Sequence, residues 1–317
     1  MKNPQVGSSE KKQIDNAVRR LLSDMKGVEP PLKLDAVRSQ LELDLEYYSS
    51  KDTSLLKEIV HTIKVAEKKL VLSTKTMLGN VIDKLGLRGM LFWDQNRILI
   101  DNELHHVKLR WAEGHEIGHT FCPWHKYYLL GDSQNELSPS CHAKIEAEAN
   151  YATGQLLFLQ DRFVAEMMSL PISIASLKTL HKRFGNSNAS TLWRMVEQYA
   201  GPHPLLGIVS DHPHRLPDDF DYCEPCRYVI ESSAFRAKFS NTTEVQLFEI
   251  LTAMCNRSTR GPLGTIEVEL IDDNGESHEF VFESFCFPYN QPDGAKGFQV
   301  LTLAMHKRQL SRVIVTS

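Results

Sequence analysis

The stretch Trp111–Cys122, WAEGHEIGHTFC, sets two histidines four residues apart with a glutamate directly after the first. On a helix, positions i and i+4 sit roughly 40° apart and one turn up, so His115 and His119 can offer imidazole nitrogens to one ion. Glu116 lies about 100° round from His115, outside that coordination yet within reach of a water beside it. This is the general-base position of the H-E-x-x-H pattern, which binds zinc through its two histidines. Alone, the pattern also fits a solvated polar helix face paired within itself. Gly114 and Gly118 each weaken a helix by about 1 kcal/mol relative to alanine. Two such costs in one turn imply close approach by another backbone, by substrate or by a packed helix.

A catalytic zinc takes three protein ligands, and the segment Lys144–Asn150, KIEAEAN, supplies a candidate helix 27 residues beyond His119. With the apolar stripe Ile145, Ala149, Ala152 and Leu156 turned inward, Glu146 and Glu148 fall on opposite flanks, about 200° apart, and cannot share one ion. Glu146 is the expected third ligand, with Glu148 the alternative. Asn150 lies one turn beyond Glu146 on the same flank, where its amide can hold a metal ligand in place.

Outward from these helices, the pattern predicts an α+β protein. Ile14, Val18, Leu21, Leu22 and Met25 recur at helical spacing; LKLDAVRSQLEL reads as a small helix, and Ser54–Leu78 as a long one. Residues 1–79 are therefore expected to be a helical N-terminal region. Gly89–Asp101, GMLFWDQNRILID, has two apolar runs around Asp94-Gln95-Asn96 and predicts a hairpin. Residues 127–141 read as a loop, and Ala143–Met168 as helix. ISIASLKTLHKRF and ASTLWRMVEQY, separated by GNSN, outline a helix-turn-helix-like pair at 171–199, made locally basic by His181, Lys182, Arg183 and Arg194. Two packed helices on a short turn are also ordinary scaffold, so direct nucleic-acid binding is not the favoured expectation. Residues 201–222 read as a loop and domain boundary. Beyond them GTIEVELIDDNGESHEFVFESFCF alternates around Asp273-Asn274-Gly275, which predicts an antiparallel hairpin in a C-terminal α+β module, 201–317.

With 36 basic and 40 acidic residues the chain carries a net charge of −4, which gives no general reason for nucleic-acid binding. No apolar run approaches the ~18 residues of a membrane span, and the polar N-terminal stretch lacks a secretory core, so a cytoplasmic protein with no membrane partner is expected. In that compartment six cysteines imply free thiols or metal ligands rather than disulfides. HPHRLPDDFDYCEPC sets His212 and His214 ahead of Cys223 and Cys226, half of a structural zinc pattern at unusual spacing; a turn with two free thiols is the competing reading.

The paired segments AEGHEIGHTF and EAEANYATGQLLF, with the hairpin before and the helix pair after, resemble the ImmA/IrrE-type zinc metallo-endopeptidases over roughly residues 80–200. The resemblance implies a mainly helical, zincin-like core with a small sheet. It implies one catalytic zinc on His115, His119 and Glu146, with Glu116 as catalytic base. It further implies a regulatory protease acting on a protein substrate such as a helix-turn-helix repressor, in stress or mobile-element responses. Three features depart from the family pattern: LLFLQDRF has no proline until Pro171, residues 45–80 read as a helical insertion, and the last third matches no family module. A non-catalytic protein- or DNA-binding regulator and a phage-defence or toxin-type effector protease are the alternatives. For the oxyanion that peptide hydrolysis creates, His125, Tyr127, Tyr128 and Tyr151 are near enough in sequence to be candidate donors.

Overall fold

The computed structural model of the chain describes residues 6–48, 89–102, 104, 106–126, 139–290 and 295–307. The long helix expected over Ser54–Leu78, and Tyr127 and Tyr128, lie outside these residues. The fold is α+β, and the chain divides into two compact units, one of residues 2–160 with 184–186, the other of residues 161–183 with 187–317.

In the first unit, α1 (Ser8–Asp24) buries Ile14, Val18 and Leu21, the stripe read from sequence, and α2 (Leu34–Leu41) buries Leu34 and Val37. Next comes β1 (Asp44–Tyr48), where the sequence suggested only helix. Its five residues alternate too weakly to declare a strand, and they are held by parallel pairing with β3 (Arg97–Asp101), from Asp44↔Arg97 to Tyr48↔Asp101. The expected hairpin is present. β2 (Gly89–Phe92) pairs antiparallel with β3 through a short 3-10 turn at Trp93–Gln95, and Asn96 takes the left-handed conformation that closes it. β3 is the central strand, and Ile98, Leu99 and Ile100 are all buried.

Helix α3 (His106–Thr120) packs on β2 and β3 and against α4 (Pro139–Leu157). The reason for the two glycines is this helix pair. A Cβ at Gly118 would lie 2.7 Å from the Ala149 carbonyl oxygen and 2.8 Å from Thr153 Oγ1, and one at Gly114 would lie 3.1 Å from Leu157. Thr153 Oγ1 sits at the crossing, within hydrogen-bond distance of the Gly114 carbonyl at 3.1 Å and the Ala149 carbonyl at 2.6 Å. The α4 stripe Ile145, Ala149, Ala152 and Leu156 is buried as its period requires. Fully burying each Ile or Leu of this kind is worth about 1.5–3 kcal/mol. α4 stops at Leu157 because Leu159 and Gln160 adopt positive φ, which splits the single helix expected from sequence into α4 and α5 (Asp161–Met168).

The second unit holds α5, the pair α6 (Ile174–Phe184, its last residue in the first unit) and α7 (Asn188–Glu197), and a five-stranded antiparallel sheet. The sheet order is β5 (Cys226–Glu231), β4 (Leu205–Asp211), β8 (Lys296–His306), β7 (Ser277–Asn290), β6 (Gly261–Ile271). The β6–β7 hairpin turns at Asp272–Gly275, as its sequence predicts. β4 corrects the loop expected over 201–222. Leu206 and Ile208 join the core formed with Phe235, Leu247, Leu251, Phe280 and Phe282. On the alternate position Gly207 lies against Val196 and Leu192 of α7. A strand buried on both faces shows a continuous apolar run instead of alternation, and LLGIV is such a run.

Apart from residues 184–186, the helix pair falls in the unit that holds the C-terminal sheet. Arg194, counted among its basic residues, is 1% exposed and pairs with Glu197 at 3.1 Å, while Leu192, Met195 and Val196 turn the same helix toward the sheet. Among the described residues no helix is long and apolar enough to cross a membrane.

Candidate metal centre

The two helices whose close contact the glycines permit bring His115, His119 and Glu146 together, one ligand atom from each lying within 4.8 Å of the others. His115 Nε2 is 3.1 Å from Glu146 Oε2 and His119 Nε2 is 4.0 Å from Glu146 Oε1. The rings of His115 and His119 stand edge to face, with centroids 4.9 Å apart. Two imidazoles and one carboxylate form a donor set that can hold a metal ion and leave a coordination position open.

The far side of each imidazole is also held. His115 Nδ1 lies 3.1 Å from Asn150 Oδ1, the amide that the sequence placed on the Glu146 flank. His119 Nδ1 lies 2.9 Å from His125 Nδ1, and His125 Nε2 lies 2.9 Å from Glu148 Oε2. Glu148 thus serves the opposite flank of α4, where it also accepts a hydrogen bond from Trp124 Nε1 at 2.6 Å. Lys144 Nζ stands 3.7 Å from its other oxygen. The pairing of His119 with His125 carries no motif spacing; the turn Phe121–His125 folds the second ring back onto the first.

Burial dominates the electrostatics. Glu116 is 6% exposed, and desolvation pushes its carboxyl up to about 7; the His115 charge opposes this shift and the Glu146 carboxylate adds to it. For His115, burial lowers the pKa, but the hydrogen bond to Glu146 and the charges of Glu116 and Glu146 outweigh it, so the net shift is upward. His125 shifts downward because burial outweighs its bond to Glu148. Glu116 lies against β2, where a Cβ on Gly89 would come within 2.6 Å of its Oε1. Tyr48 of β1 is 3% exposed, and its phenol is pushed up to about 12 by burial, with Asp101 and Glu116 contributing.

Two of the oxyanion candidates are engaged elsewhere. His125 is fully buried between His119 and Glu148, and Tyr151 donates to Asp15 at 3.0 Å.

The sequence matches no protein-family model and no curated protein. Among solved structures the chain is similar to a protein described as a Mycobacterium tuberculosis transcriptional regulator, with a TM-score of 0.52 and 11% identity, covering 96% of this chain and 91% of that one. At this identity the likeness is one of fold.

Two further groups of potential ligands occur among the described residues: Cys122, His125 and Glu148 behind the first centre, and Asp272, Glu276 and His278 at the β6–β7 turn. The group His212, His214, Cys223 and Cys226 is not brought together as ligands. His212 Nε2 and His214 Nε2 instead face the carbonyls of Ser258, at 3.1 Å, and Cys255, at 2.8 Å. Cys226 is buried beside the Glu244 carbonyl, Cys223 is exposed, and none of the six cysteines is joined in a disulfide.

Proposed function

We propose that this chain is an intracellular zinc-dependent endopeptidase of the ImmA/IrrE type, with His115, His119 and Glu146 as ligands and Glu116 as catalytic base. The observation that carries this reading is the convergence of two imidazoles and a carboxylate from α3 and α4, with a buried glutamate beside the first histidine. The borderline nitrogen and oxygen donors, three in number, suit zinc in a catalytic setting.

Zinc held by His115, His119 and Glu146 would supply Lewis-acid chemistry for the scissile carbonyl and for the attacking water. The remaining work falls to the chain. Glu116 accepts a proton from water at a carboxylate oxygen and returns it to the departing amine. β2 and the buried β1 residue Tyr48 enclose Glu116 on the sheet side and keep bulk water from it. Asn150 and His125 each hold one imidazole from behind, so the ligand nitrogens stay aimed without rearrangement.

A regulatory protein, for instance a helix-turn-helix repressor, is the proposed substrate class. The description of the similar structure as a transcriptional regulator fits a regulatory setting and also supports a second reading, a regulator that binds without cutting. Glu116 distinguishes the two, because a binding protein needs no general base beside its ligands. The test incubates purified chain, with and without chelator, with candidate repressors and reads fragments by mass spectrometry. Glu116→Gln is expected to keep one zinc per chain and lose cleavage. Cleavage that persists in the zinc-loaded variant refutes the assignment, and a variant that regulates normally without cutting favours the binding reading.

A further inference from the structure

Behind the ligand His119 runs a chain of polar contacts of which the peptide-cutting reading uses only the first: His119 Nδ1 to His125 Nδ1 at 2.9 Å, His125 Nε2 to Glu148 Oε2 at 2.9 Å, and Trp124 Nε1 to the same Glu148 oxygen at 2.6 Å. His125 is 0% and Glu148 2% exposed, so neither is an incidental surface contact. We propose that His125 and Glu148 are a positioning pair that fixes the tautomer of His119, placing its proton on Nδ1 and its lone pair on Nε2, the nitrogen that faces Glu146. This inference rests on the metal-centre reading above and adds to it the residues that prepare the ligand.

The argument follows the protons. An indole N–H only donates, so the Glu148 oxygen that receives Trp124 Nε1 is an acceptor, and the His125 nitrogen sharing that carboxylate oxygen is the donor. A neutral imidazole carries one N–H and one lone pair. With its proton on Nε2, His125 has its lone pair on Nδ1, and the 2.9 Å contact then requires the proton of His119 to lie on Nδ1. A His125 charged at both nitrogens would reverse that contact, putting the proton of His119 on Nε2 and closing that nitrogen to any metal. It would also set a buried cation one imidazole away from a divalent ion. His115 likewise has its Nδ1 held from behind, facing the amide oxygen of Asn150 at 3.1 Å.

The experiment uses the full chain. Long-range proton–nitrogen spectra of the metal-free protein are expected to show His119 protonated on Nδ1 and His125 on Nε2, the signals assigned with variants of each. His125→Leu is expected to release His119 into mixed tautomers and to weaken zinc binding about 10–100-fold in chelator competition. His125→Gln can accept from His119 and donate to Glu148, and is expected to lose markedly less. Far-ultraviolet circular dichroism checks that each variant is folded, and the wild-type spectrum decides the tautomer even where a variant is not. His119 protonated on Nε2, or a folded His125→Leu protein with wild-type zinc affinity, overturns the proposal. Two zinc ions per wild-type chain, one of them lost in Cys122→Ser, also overturn it, because His125 and Glu148 would then be ligands. A wild-type chain with the expected tautomers but no zinc affinity sinks the metal-centre reading, and with it the purpose of the pair, while leaving the tautomer assignment intact.

Discussion

Asn150 Oδ1 lies 3.1 Å from His115 Nδ1, one helical turn beyond Glu146, so a single face of α4 carries both a proposed ligand and the group that holds a second proposed ligand from behind. An amide oxygen only accepts, so this contact holds the His115 proton on Nδ1 and points Nε2 toward Glu146. Asn150→Ala is expected to weaken zinc affinity about 10–100-fold, and Asn150→Asp, which keeps the acceptor, to lose less. Chelator competition measures both, and equal losses would remove the hydrogen bond from the explanation.

Of the two glycines of α3 that face α4, Gly118 has the tighter surroundings. A methyl group there would meet backbone, the Ala149 carbonyl at 2.7 Å, whereas at Gly114 it would meet the side chains of Leu157 and Thr153 at 3.1–3.2 Å. Alanine favours the helix by about 1 kcal/mol in both places. Overpacking typically costs about 1–3 kcal/mol, and more where backbone must move. Gly118→Ala is therefore expected to destabilise the protein and to lower zinc affinity by spreading the ligands, with Gly114→Ala the milder change. Urea unfolding and zinc titration of the pair check the order.

Gly89 leaves room for the carboxylate of Glu116. In Gly89→Ala the new methyl would fall 2.6 Å from Glu116 Oε1 and 3.0 Å from Ile100 Cδ1, so the proposed base must move while the three proposed ligands keep their places. Cleavage is expected to fall by tenfold or more, since small displacements of a catalytic group are costly, with zinc content unchanged. A parallel loss of zinc would show that the substitution acts on the ligands instead.

At the β6–β7 turn the carboxyl of Asp272 is held below the ordinary aspartate range, first by the backbone N–H of Glu276, then by His278 and the N–H of Asn274, against an opposing desolvation. Its oxygens accept from Asn274 N and Glu276 N at 2.9 Å each and stand 3.1 Å from His278 Nε2. A pKa lowered by folding adds stability that is complete above the unfolded value, about 3.9, and is lost as pH falls through the folded value. The thermal midpoint of Asp272→Asn should accordingly lie below that of the parent at pH 6, and the gap should close as the pH is taken below 3.9. A gap independent of pH would assign the effect to geometry and not to charge.

Strongly periodic elements are legible in the sequence. The α1 stripe, the β2–β3 hairpin with its Asn96 turn, the α3 and α4 helices and the β6–β7 hairpin all follow from apolar spacing and turn residues. β1 and β4 were not legible. β1 is short and held by a parallel partner about fifty residues away, and β4 is covered on both faces, which erases the alternation that marks a strand. The break after Leu157 escaped for a different reason, since Leu159 and Gln160 take positive φ without the glycine that usually signals it.

Within the candidate site, local spacing determined what helix geometry alone can determine. His115 and His119 share a face, Glu116 stands off it, and Glu146 with Asn150 occupies the flank opposite Glu148. Which face of α4 meets which face of α3 was decided only when the chain folded, through the Gly118–Ala149 contact and the sheet beneath α3. The tertiary structure likewise decided that His125 turns inward to join His119 to Glu148, and that the second helix of the basic pair buries Arg194 and lays Leu192 and Val196 against Gly207 of β4. Periodicity specifies the direction of a side chain relative to its own helix axis, whereas the meeting of side chains from separate elements depends on where those axes cross.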